Sequence, residues 1–184
     1  ANNFDIADLN SDGIPDIVAG VGVDGEISVL IGNGNGTFQT PALYVGTLNP
    51  NPAIADIRVT ATTGDFDNDG DLDVVSFDLR DSQAILLLNN GTGILGSPSL
   101  IANLNPVGVV LGPVQVRTAD IDNDNDDDIL VVTGTSRQFI TVIRSNGNGT
   151  FASPIDISIG DLSSIGDIAD LDGDGDLDVT VARG

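Results

Sequence analysis

The sequence predicts an all-β chain made of antiparallel four-stranded blades, and three observations support that prediction. A nine-residue aspartate-rich loop occurs four times. Each copy runs directly into β-branched residues, which favour strands. Asn-Gly and other glycine-rich turns then separate short apolar runs, a pattern typical of hairpins. Apolar residues do not recur with a helical period in any stretch, so helices are not expected.

The repeated unit has a constant order of elements. It reads as strand, aspartate loop, strand, short turn, strand, glycine turn and a last strand. The strands that follow the short turn are predicted at Ile27–Ile31, Ala84–Leu88 and Ile140–Ile143. The glycine turns are Asn33–Phe38, Asn90–Leu95 and Asn146–Phe151, and prolines follow them at Pro41, Pro98 and Pro154. Last strands are expected at Ala42–Val45 and Ile155–Ile159.

The spacing of the loops indicates the architecture. They begin at residues 8, 65, 120 and 170, so the repeat is 50 to 57 residues long. Four antiparallel strands in a repeat of this length are typical of a β-propeller blade. We expect one repeat domain over 1–184, with repeats at 1–56, 57–112 and 113–162 and a partial repeat at 163–184. The chain would then hold about 3.5 blades of a partial propeller.

Each loop places oxygen donors at alternate positions, numbered here from 1 to 9. The side chains at positions 1, 3, 5 and 9 and the backbone carbonyl at position 7 would converge on one point, where the carboxylates would repel one another without a cation. Oxygen donors with this spacing suit Ca²⁺, so about four ions are predicted, one per loop. The predicted ligands are Asp8, Asn10, Asp12, Ile14 and Asp16 in loop 1, Asp65, Asp67, Asp69, Asp71 and Asp73 in loop 2, Asp120, Asp122, Asp124, Asp126 and Asp128 in loop 3, and Asp170, Asp172, Asp174, Asp176 and Asp178 in loop 4.

Two positions refine this prediction. Position 6 must turn the chain with a positive φ, which Gly adopts without strain and Asn tolerates next best. Gly13, Gly70 and Gly175 occupy it in three loops, and Asn125 occupies it in loop 3. Asn10 replaces a carboxylate at position 3, so loop 1 should bind calcium most weakly. The pattern is not an EF-hand, because the last acid is at position 9 and strands follow it.

The Asp-x-Asp-x-Asp-Gly-x-x-Asp loop, the Val/Ile-rich strands after it and the Asn-Gly-x-Gly-Thr-Phe turn resemble the FG-GAP/VCBS repeat. That repeat builds the blades of integrin-type β-propellers, and the resemblance covers essentially the whole chain. It implies calcium at the loop ligands given above. The family includes adhesins, integrin α-subunit heads, lectins, lyase scaffolds and large secreted surface proteins, so the resemblance specifies the repeat and leaves the activity open.

The chain is strongly acidic, which limits its partners. Its 184 residues carry a formal net charge of −22, and all six basic residues are arginine. Such a surface repels nucleic acid and anionic membranes, so neither nucleic-acid binding nor membrane insertion is expected. Cysteine is absent, so bound metal would stabilise the fold in place of disulfides. Loops of this kind suit the calcium concentration outside cells, and we expect an extracellular or cell-surface location.

The residue inventory argues against an enzyme. His, Cys and Lys are absent, which removes the commonest bases and nucleophiles. A paired-carboxylate glycosidase would need aspartates that metal already uses. Tyr44 is interpreted as a strand residue, and Phe38 and Phe151, at matching turn positions, as packing residues. The expected function is a non-catalytic, calcium-binding structural or adhesive module, as a surface protein or filament subunit.

The alternative function is a carbohydrate-binding, lectin-like propeller, or the accessory part of a secreted polysaccharide-active enzyme. An aromatic content of 4% counts against it, since sugar binding usually relies on exposed aromatic faces. Asn35-Gly-Thr37, Asn90-Gly-Thr92 and Asn148-Gly-Thr150 match the glycosylation sequon, although a role as hairpin turns explains the same residues.

Three and a half blades would leave sheet edges open, which invites pairing with another chain. Three interpretations remain. The chain is a fragment of a longer parent chain, a subunit that completes a propeller or filament with other copies of itself, or a short stable monomer. Surface proteins and glycans are further candidate partners.

Overall fold

The computed structural model describes residues 4–21, 25–49, 59–104, 114–135, 137–158 and 164–182. Every regular element in these ranges is a β-strand. The strands are β1 (Phe4–Ala7), β2 (Asp16–Val21), β3 (Glu26–Leu30), β4 (Ala42–Val45), β5 (Val59–Gly64), β6 (Asp73–Asp78), β7 (Gln83–Leu87), β8 (Ser99–Asn103), β9 (Val114–Ala119), β10 (Asp128–Thr135), β11 (Arg137–Ile143), β12 (Ile155–Ser158), β13 (Ser164–Ala169) and β14 (Asp178–Ala182). No helix in the described ranges has the length and apolar character needed to cross a membrane.

The strands form three four-stranded sheets and one two-stranded sheet, which we call blades 1 to 4. Blade 1 is β1–β4, blade 2 is β5–β8, blade 3 is β9–β12, and blade 4 comprises β13 and β14. Consecutive strands are neighbours in each sheet and run antiparallel. The prediction of an all-β chain of four-stranded antiparallel blades is confirmed.

The predicted strand boundaries differ slightly from the observed ones. Strands β3 and β7 begin and end one residue earlier than predicted, and β11 begins three residues earlier. The strand predicted to end at Ile159 ends at Ser158, and Ile159 lies outside the described residues.

Each aspartate loop is the connection of a hairpin. In every copy the residue before position 1 pairs with the residue at position 9. The pairs are Ala7 with Asp16, Gly64 with Asp73, Ala119 with Asp128 and Ala169 with Asp178. The loop therefore leaves and rejoins the sheet at one rung, and its shape must come from tight turns and local hydrogen bonds.

The hydrophobic core lies between the blades. Side chains alternate across a strand, so Val74 packs in the cluster shared with blade 1, whereas Val75 and Phe77 pack in the cluster shared with blade 3. Every residue of β5 and β6 is buried. A fully buried Val, Leu or Phe side chain contributes roughly 1.5–3 kcal/mol. Much of the stability of a blade therefore comes from its neighbours.

The residue at loop position 2 joins blade 1 to blade 2 and blade 2 to blade 3. Leu9 of loop 1 is buried in the same cluster as Leu95 from the glycine turn of blade 2. Phe66 of loop 2 packs against Phe151 from the turn of blade 3, with ring centroids 5.7 Å apart. Leu171, at the same position of loop 4, is 62% exposed. Burial of this residue thus depends on the turn of the following blade.

Polar contacts also hold the chain where it leaves blade 1 for blade 2. The hydroxyl of Thr47 donates to Oδ2 of the buried Asp78 at 2.6 Å. The hydroxyl of Ser76 donates to the carbonyl oxygen of Gly46 at 2.7 Å. Because these groups are buried, their hydrogen bonds offset the cost of removing them from water.

Candidate metal centre

The backbone of each aspartate loop enters the left-handed region twice. At position 6, as predicted, φ is positive for Gly13, Gly70, Asn125 and Gly175, at 80°, 89°, 73° and 97°. At position 4, φ is also positive for Ser11, Asn68, Asn123 and Gly173, at 57°, 61°, 60° and 81°. Sequence reasoning missed this second turn, although Asn and Gly are the residues that adopt it most readily.

The two turns wrap each loop around the carboxylate at position 1. That carboxylate accepts the backbone N–H of position 6, in Asp8 from Gly13 (2.7 Å), Asp65 from Gly70 (3.1 Å), Asp120 from Asn125 (2.9 Å) and Asp170 from Gly175 (3.1 Å). The position 5 carboxylate accepts the N–H two residues later, as Asp69 does from Asp71 at 2.9 Å. Equivalent bonds recur in the other loops. The side chains of a loop therefore hold its conformation.

The aspartate at position 9 has a structural role as well as a predicted ligand role. Asp16, Asp73 and Asp128 are fully buried. One oxygen accepts the N–H of position 2, from Leu9 (2.9 Å), Phe66 (3.2 Å) and Ile121 (3.1 Å). The other accepts the N–H at the start of the glycine turn, from Gly32 (2.7 Å), Asn89 (2.8 Å) and Ser145 (2.8 Å). One carboxylate thus connects the loop, the second strand and the turn of a blade.

Three loops bring carboxylates from positions 1, 3 and 9 together. Their ligand atoms lie within 4.8 Å of one another in three clusters, which are Asp65, Asp67 and Asp73; Asp120, Asp122 and Asp128; and Asp170, Asp172 and Asp178. Like charges at such distances near a protein surface repel by on the order of 3 kcal/mol per pair. A divalent cation would reverse that interaction, so each cluster could hold a metal ion. One atom supports the fit, because Oδ1 of Asp65 is buried without a hydrogen-bond partner.

The buried position 9 carboxylates of loops 2 and 3 have raised pKa values. Burial raises the pKa of Asp73 to about 7, and the charges of Asp67 and Asp69 add to the rise, although two backbone N–H donors oppose it. Burial likewise raises the pKa of Asp128. A buried carboxylate without a counter-charge gains most from a bound cation.

Loop 1 lacks such a carboxylate cluster, and in loop 3 an arginine lies beside the cluster. Within the described ranges loop 1 has no cluster of three carboxylates, because Asn10 takes position 3, and its Nδ2 donates to Oδ2 of Asp12 at 2.9 Å. In loop 3 the guanidinium of Arg144 donates to Oδ2 of Asp122 at 3.0 Å. An exposed pair of this kind adds little stability, but it places one cation beside the cluster.

Positions 5 and 7 complete the predicted ligand set and lie outside the three-carboxylate clusters. The position 5 aspartates turn toward the N–H of position 7, as described above. The position 5 oxygens and the position 7 carbonyls stay predicted ligands.

The other residues singled out by the sequence have structural contacts. Tyr44 on β4 packs against the cluster between blades 1 and 2, and its hydroxyl donates to the carbonyl oxygen of Gly93 at 3.5 Å. Phe151 packs on Phe66, whereas Phe38 is 41% exposed. In the sequons, Oδ1 of Asn35, Asn90 and Asn148 accepts the hydroxyl of the threonine two residues later, at 2.6 to 2.7 Å. These asparagines therefore stabilise the glycine turns.

Comparison with known proteins agrees with this geometry. The FG-GAP-like repeat model matches residues 8–76, 65–131 and 120–181, so that successive matches overlap at the aspartate loops. The chain belongs to the FG-GAP-like repeat family, which confirms the resemblance seen in the sequence. No curated protein matches the chain.

The solved structures that are similar to the chain include a lectin and a toxin. A lectin from Agrocybe aegerita, described as specifically recognising non-reducing terminal N-acetylglucosamine, has a TM-score of 0.60 at 24% identity, covering 84% of this chain and 37% of the lectin chain. The Tc holotoxin pore of Photorhabdus luminescens has a TM-score of 0.59 at 20% identity, covering 96% of this chain and 8% of the toxin chain. This chain therefore spans well under half of either protein, and at these identities the similarity shows the fold alone.

Proposed function

We propose that this chain is a calcium-binding structural or adhesive repeat module of the cell surface, without catalytic activity. The observation that carries the proposal is the carboxylate cluster with ligand atoms within 4.8 Å, repeated in equivalent loops of three blades. Donor sets made only of oxygen suit a hard cation such as Ca²⁺ better than Zn²⁺ or copper. Membership of the FG-GAP-like repeat family supports the same assignment.

The proposed ligands follow the loop positions. Positions 1, 3 and 9 would supply the clustered carboxylates, position 5 a further carboxylate and position 7 a backbone carbonyl. The unpartnered Oδ1 of Asp65 is an oxygen that such an ion would satisfy. Loop 1 would bind most weakly, since Asn10 carries no charge. When bound, the ion would supply positive charge that the clustered aspartates lack.

The role of the metal would be structural. The chain has no cysteine, so disulfides cannot tie its loops. Calcium binding to the folded loops would add its free energy to folding. The calcium concentration outside cells suits loops of this kind, which supports an extracellular or cell-surface location. The absence of His, Cys and Lys from the sequence supports a non-catalytic role.

A second candidate function is carbohydrate binding, and the similarity to the Agrocybe aegerita lectin favours it. Sugar recognition usually relies on an exposed aromatic face. Tyr44 is packed between blades 1 and 2, whereas Phe4 and Phe38 are 51% and 41% exposed. A glycan array that includes terminal N-acetylglucosamine would decide between the two functions. Specific binding there would support the lectin function, and no binding would leave the structural one.

We infer that the partner of this module is another blade of the same repeat type, from the rest of a longer parent chain or from another copy. Asp5 of β1 points toward blade 2, where its Oδ2 accepts the N–H of Thr63 at 3.0 Å. Because side chains alternate along β1, Phe4 and Ile6 point to the opposite face, where they are 51% and 59% exposed. That apolar face matches the faces of blades 2 and 3 that a preceding blade covers.

The glycine turn of blade 1 also presents an exposed apolar residue. Phe38 occupies the place of Leu95 and Phe151, which pack with position 2 of the preceding loop. Leu171, the position 2 residue of loop 4, is the complementary half of that contact. A blade that carries an apolar residue at position 2 would therefore cover Phe38, and a blade with an apolar turn would cover Leu171.

Removal of calcium tests the proposed function. At a free calcium concentration of 100 times Kd, one site adds about 2.7 kcal/mol, which raises the Tm of a domain of this size by roughly 5–10 °C. EGTA should abolish the increase, and excess calcium should restore it. Magnesium at the same concentration serves as the control cation. Identical melting curves with calcium and with EGTA would reject the proposal.

A further inference from the structure

We propose that the asparagine at position 4 of loops 2 and 3 couples each of these loops to the loop of the next blade, an inference that rests on the proposed calcium binding. Nδ2 of Asn68, at position 4 of loop 2, donates to Oδ1 of Asp126, at position 7 of loop 3. Nδ2 of Asn123, at position 4 of loop 3, donates to Oδ1 of Asp176, at position 7 of loop 4, at 3.0 Å. The same two positions are thus joined across two successive blade boundaries.

Asp126 is held from two sides. It is 8% exposed, and its carboxylate lies against Gly147 in the glycine turn of its own blade, where a Cβ would overlap it. The amide of Asn68 approaches from the preceding blade. A hydrogen bond to an ionised acceptor is roughly twice as strong as a neutral one. Asn68 therefore restricts the conformation of residue 126 and of the peptide group that it carries.

The positions involved explain why this restriction reaches the metal site. Position 4 lies between ligand positions 3 and 5, so ordering of loop 2 by an ion would fix Asn68. Position 7 is where loop 3 would offer its backbone carbonyl. Asn68 is therefore a positioning residue for the neighbouring site, since it orders part of loop 3 before an ion binds there. Loop 3 then loses less conformational entropy when an ion binds to it, which makes binding positively cooperative.

The chain offers two internal comparisons. At the boundary between loops 1 and 2 the equivalent residues are Ser11 and Asp71, and no hydrogen bond joins them within the described ranges. In loop 4, position 4 is Gly173, with φ of 81°. Glycine thus occupies this position naturally and keeps the left-handed backbone, so an asparagine-to-glycine change removes the amide without forcing strain.

The test is a calcium titration by calorimetry of wild type and of the N68G/N123G double variant, with S11G as the matched control. Wild type and S11G should bind cooperatively, so their Hill coefficients should be clearly larger than that of the double variant. The double variant should bind the same number of ions with a Hill coefficient of about 1, and its midpoint should move about fivefold to higher calcium. D126N keeps an Oδ1 acceptor for Asn68 but removes its charge, so it should lower cooperativity less than the double variant does.

The contrary outcomes separate the two proposals. Calcium binding with equal Hill coefficients in wild type and double variant would overturn the coupling and leave the proposed function intact. No calcium binding by wild type would overturn both. If the double variant does not fold, the N123G single variant applies the same criterion, because Asn123 is exposed and the loss of its side chain removes no core contact.

Discussion

Asp73 and Asn89 are joined by a hydrogen bond of 2.8 Å, in which the backbone N–H of Asn89 donates to Oδ1 of Asp73 sixteen residues earlier. The other oxygen of Asp73 accepts the N–H of Phe66 at 3.2 Å. Asp73 is fully buried and has the charges of Asp67 and Asp69 near it. Its carboxylate is therefore well hydrogen-bonded but lacks a counter-charge, and burial raises its pKa to about 7.

In calcium-depleted buffer the chain should lose stability as pH rises. Folded Asp73 has a pKa of about 7, against an ordinary value of 3.8. Between these values the folded chain holds a proton that the unfolded chain has released, so the unfolded state binds fewer protons. The contribution is fully present below about pH 4 and is lost as pH rises through about 7, by on the order of 2–4 kcal/mol. Thermal melts at several pH values measure it.

Saturating calcium is the control for that prediction. An ion favours the charged carboxylate, so the loss of stability with rising pH should flatten or reverse when calcium is present. Burial also raises the pKa of Asp67, Asp127 and Asp128, which shifts the calcium-free profile in the same direction. A calcium-free chain whose stability increases between pH 4 and pH 7 would contradict the raised pKa of Asp73.

Asn10→Asp should strengthen calcium binding at loop 1, because it restores a carboxylate at position 3. The same change removes the donor of the Asn10–Asp12 hydrogen bond and adds a like charge, so the variant should melt below wild type without calcium and gain more when calcium is added. Calorimetry measures the affinity. Asp67→Asn in loop 2 is the matched reverse change and should weaken binding. Weaker binding in N10D than in wild type would contradict the proposed ranking of the loops.

Phe151→Ala should destabilise the chain by about 2 kcal/mol, because it removes a ring that packs on Phe66 between blades 2 and 3. Phe38 is the control, since it occupies the equivalent turn position and is 41% exposed. Phe38→Ala should change stability by less than about 0.5 kcal/mol. Urea denaturation measures the free energy of unfolding of both variants. Equal losses would show that the turn residue stabilises its own blade and not the contact with the preceding blade.

The isolated 184-residue chain should associate as its concentration rises, because the outer face of blade 1 and Leu171 are apolar and exposed. Leu171→Asp should shift light scattering toward the monomer. Ile94→Asp is the control, since Ile94 is also exposed, at 57%, in a turn that already has a preceding blade. A strictly monomeric, calcium-loaded wild type would contradict association and favour a self-contained binding module.

Much of the fold and part of the site could be predicted because both follow from local residue identity. Alternating apolar residues and glycine turns indicate the hairpins, and Gly at position 6 predicts a residue with positive φ. The spacing of the aspartates predicted that positions 1, 3, 5 and 9 would converge. Carboxylates of positions 1, 3 and 9 lie together in three loops, whereas position 5 lies outside these clusters.

The contacts that sequence reasoning missed depend on tertiary structure. Asn68 and Asp126 are 58 residues apart, and their hydrogen bond exists only because two blades are placed side by side. The structural role of Asp73 was also missed, since a ligand spacing explains the residue without its bonds to the glycine turn. The left-handed turn at position 4 had a signal, because Asn or Gly occupies it in three loops.

The complete burial of β5 and β6 has a consequence for how the molecule comes apart. A blade in a row of blades is stabilised mainly by its neighbours, so the free energy needed to unfold it locally depends on its place in the row. Fraying should start at the outermost sheets and move inward, and amide exchange should be slowest in the second sheet. A protease would then shorten the molecule from its flanks, and the segment around Val74 and Phe77 would be the last to be cut.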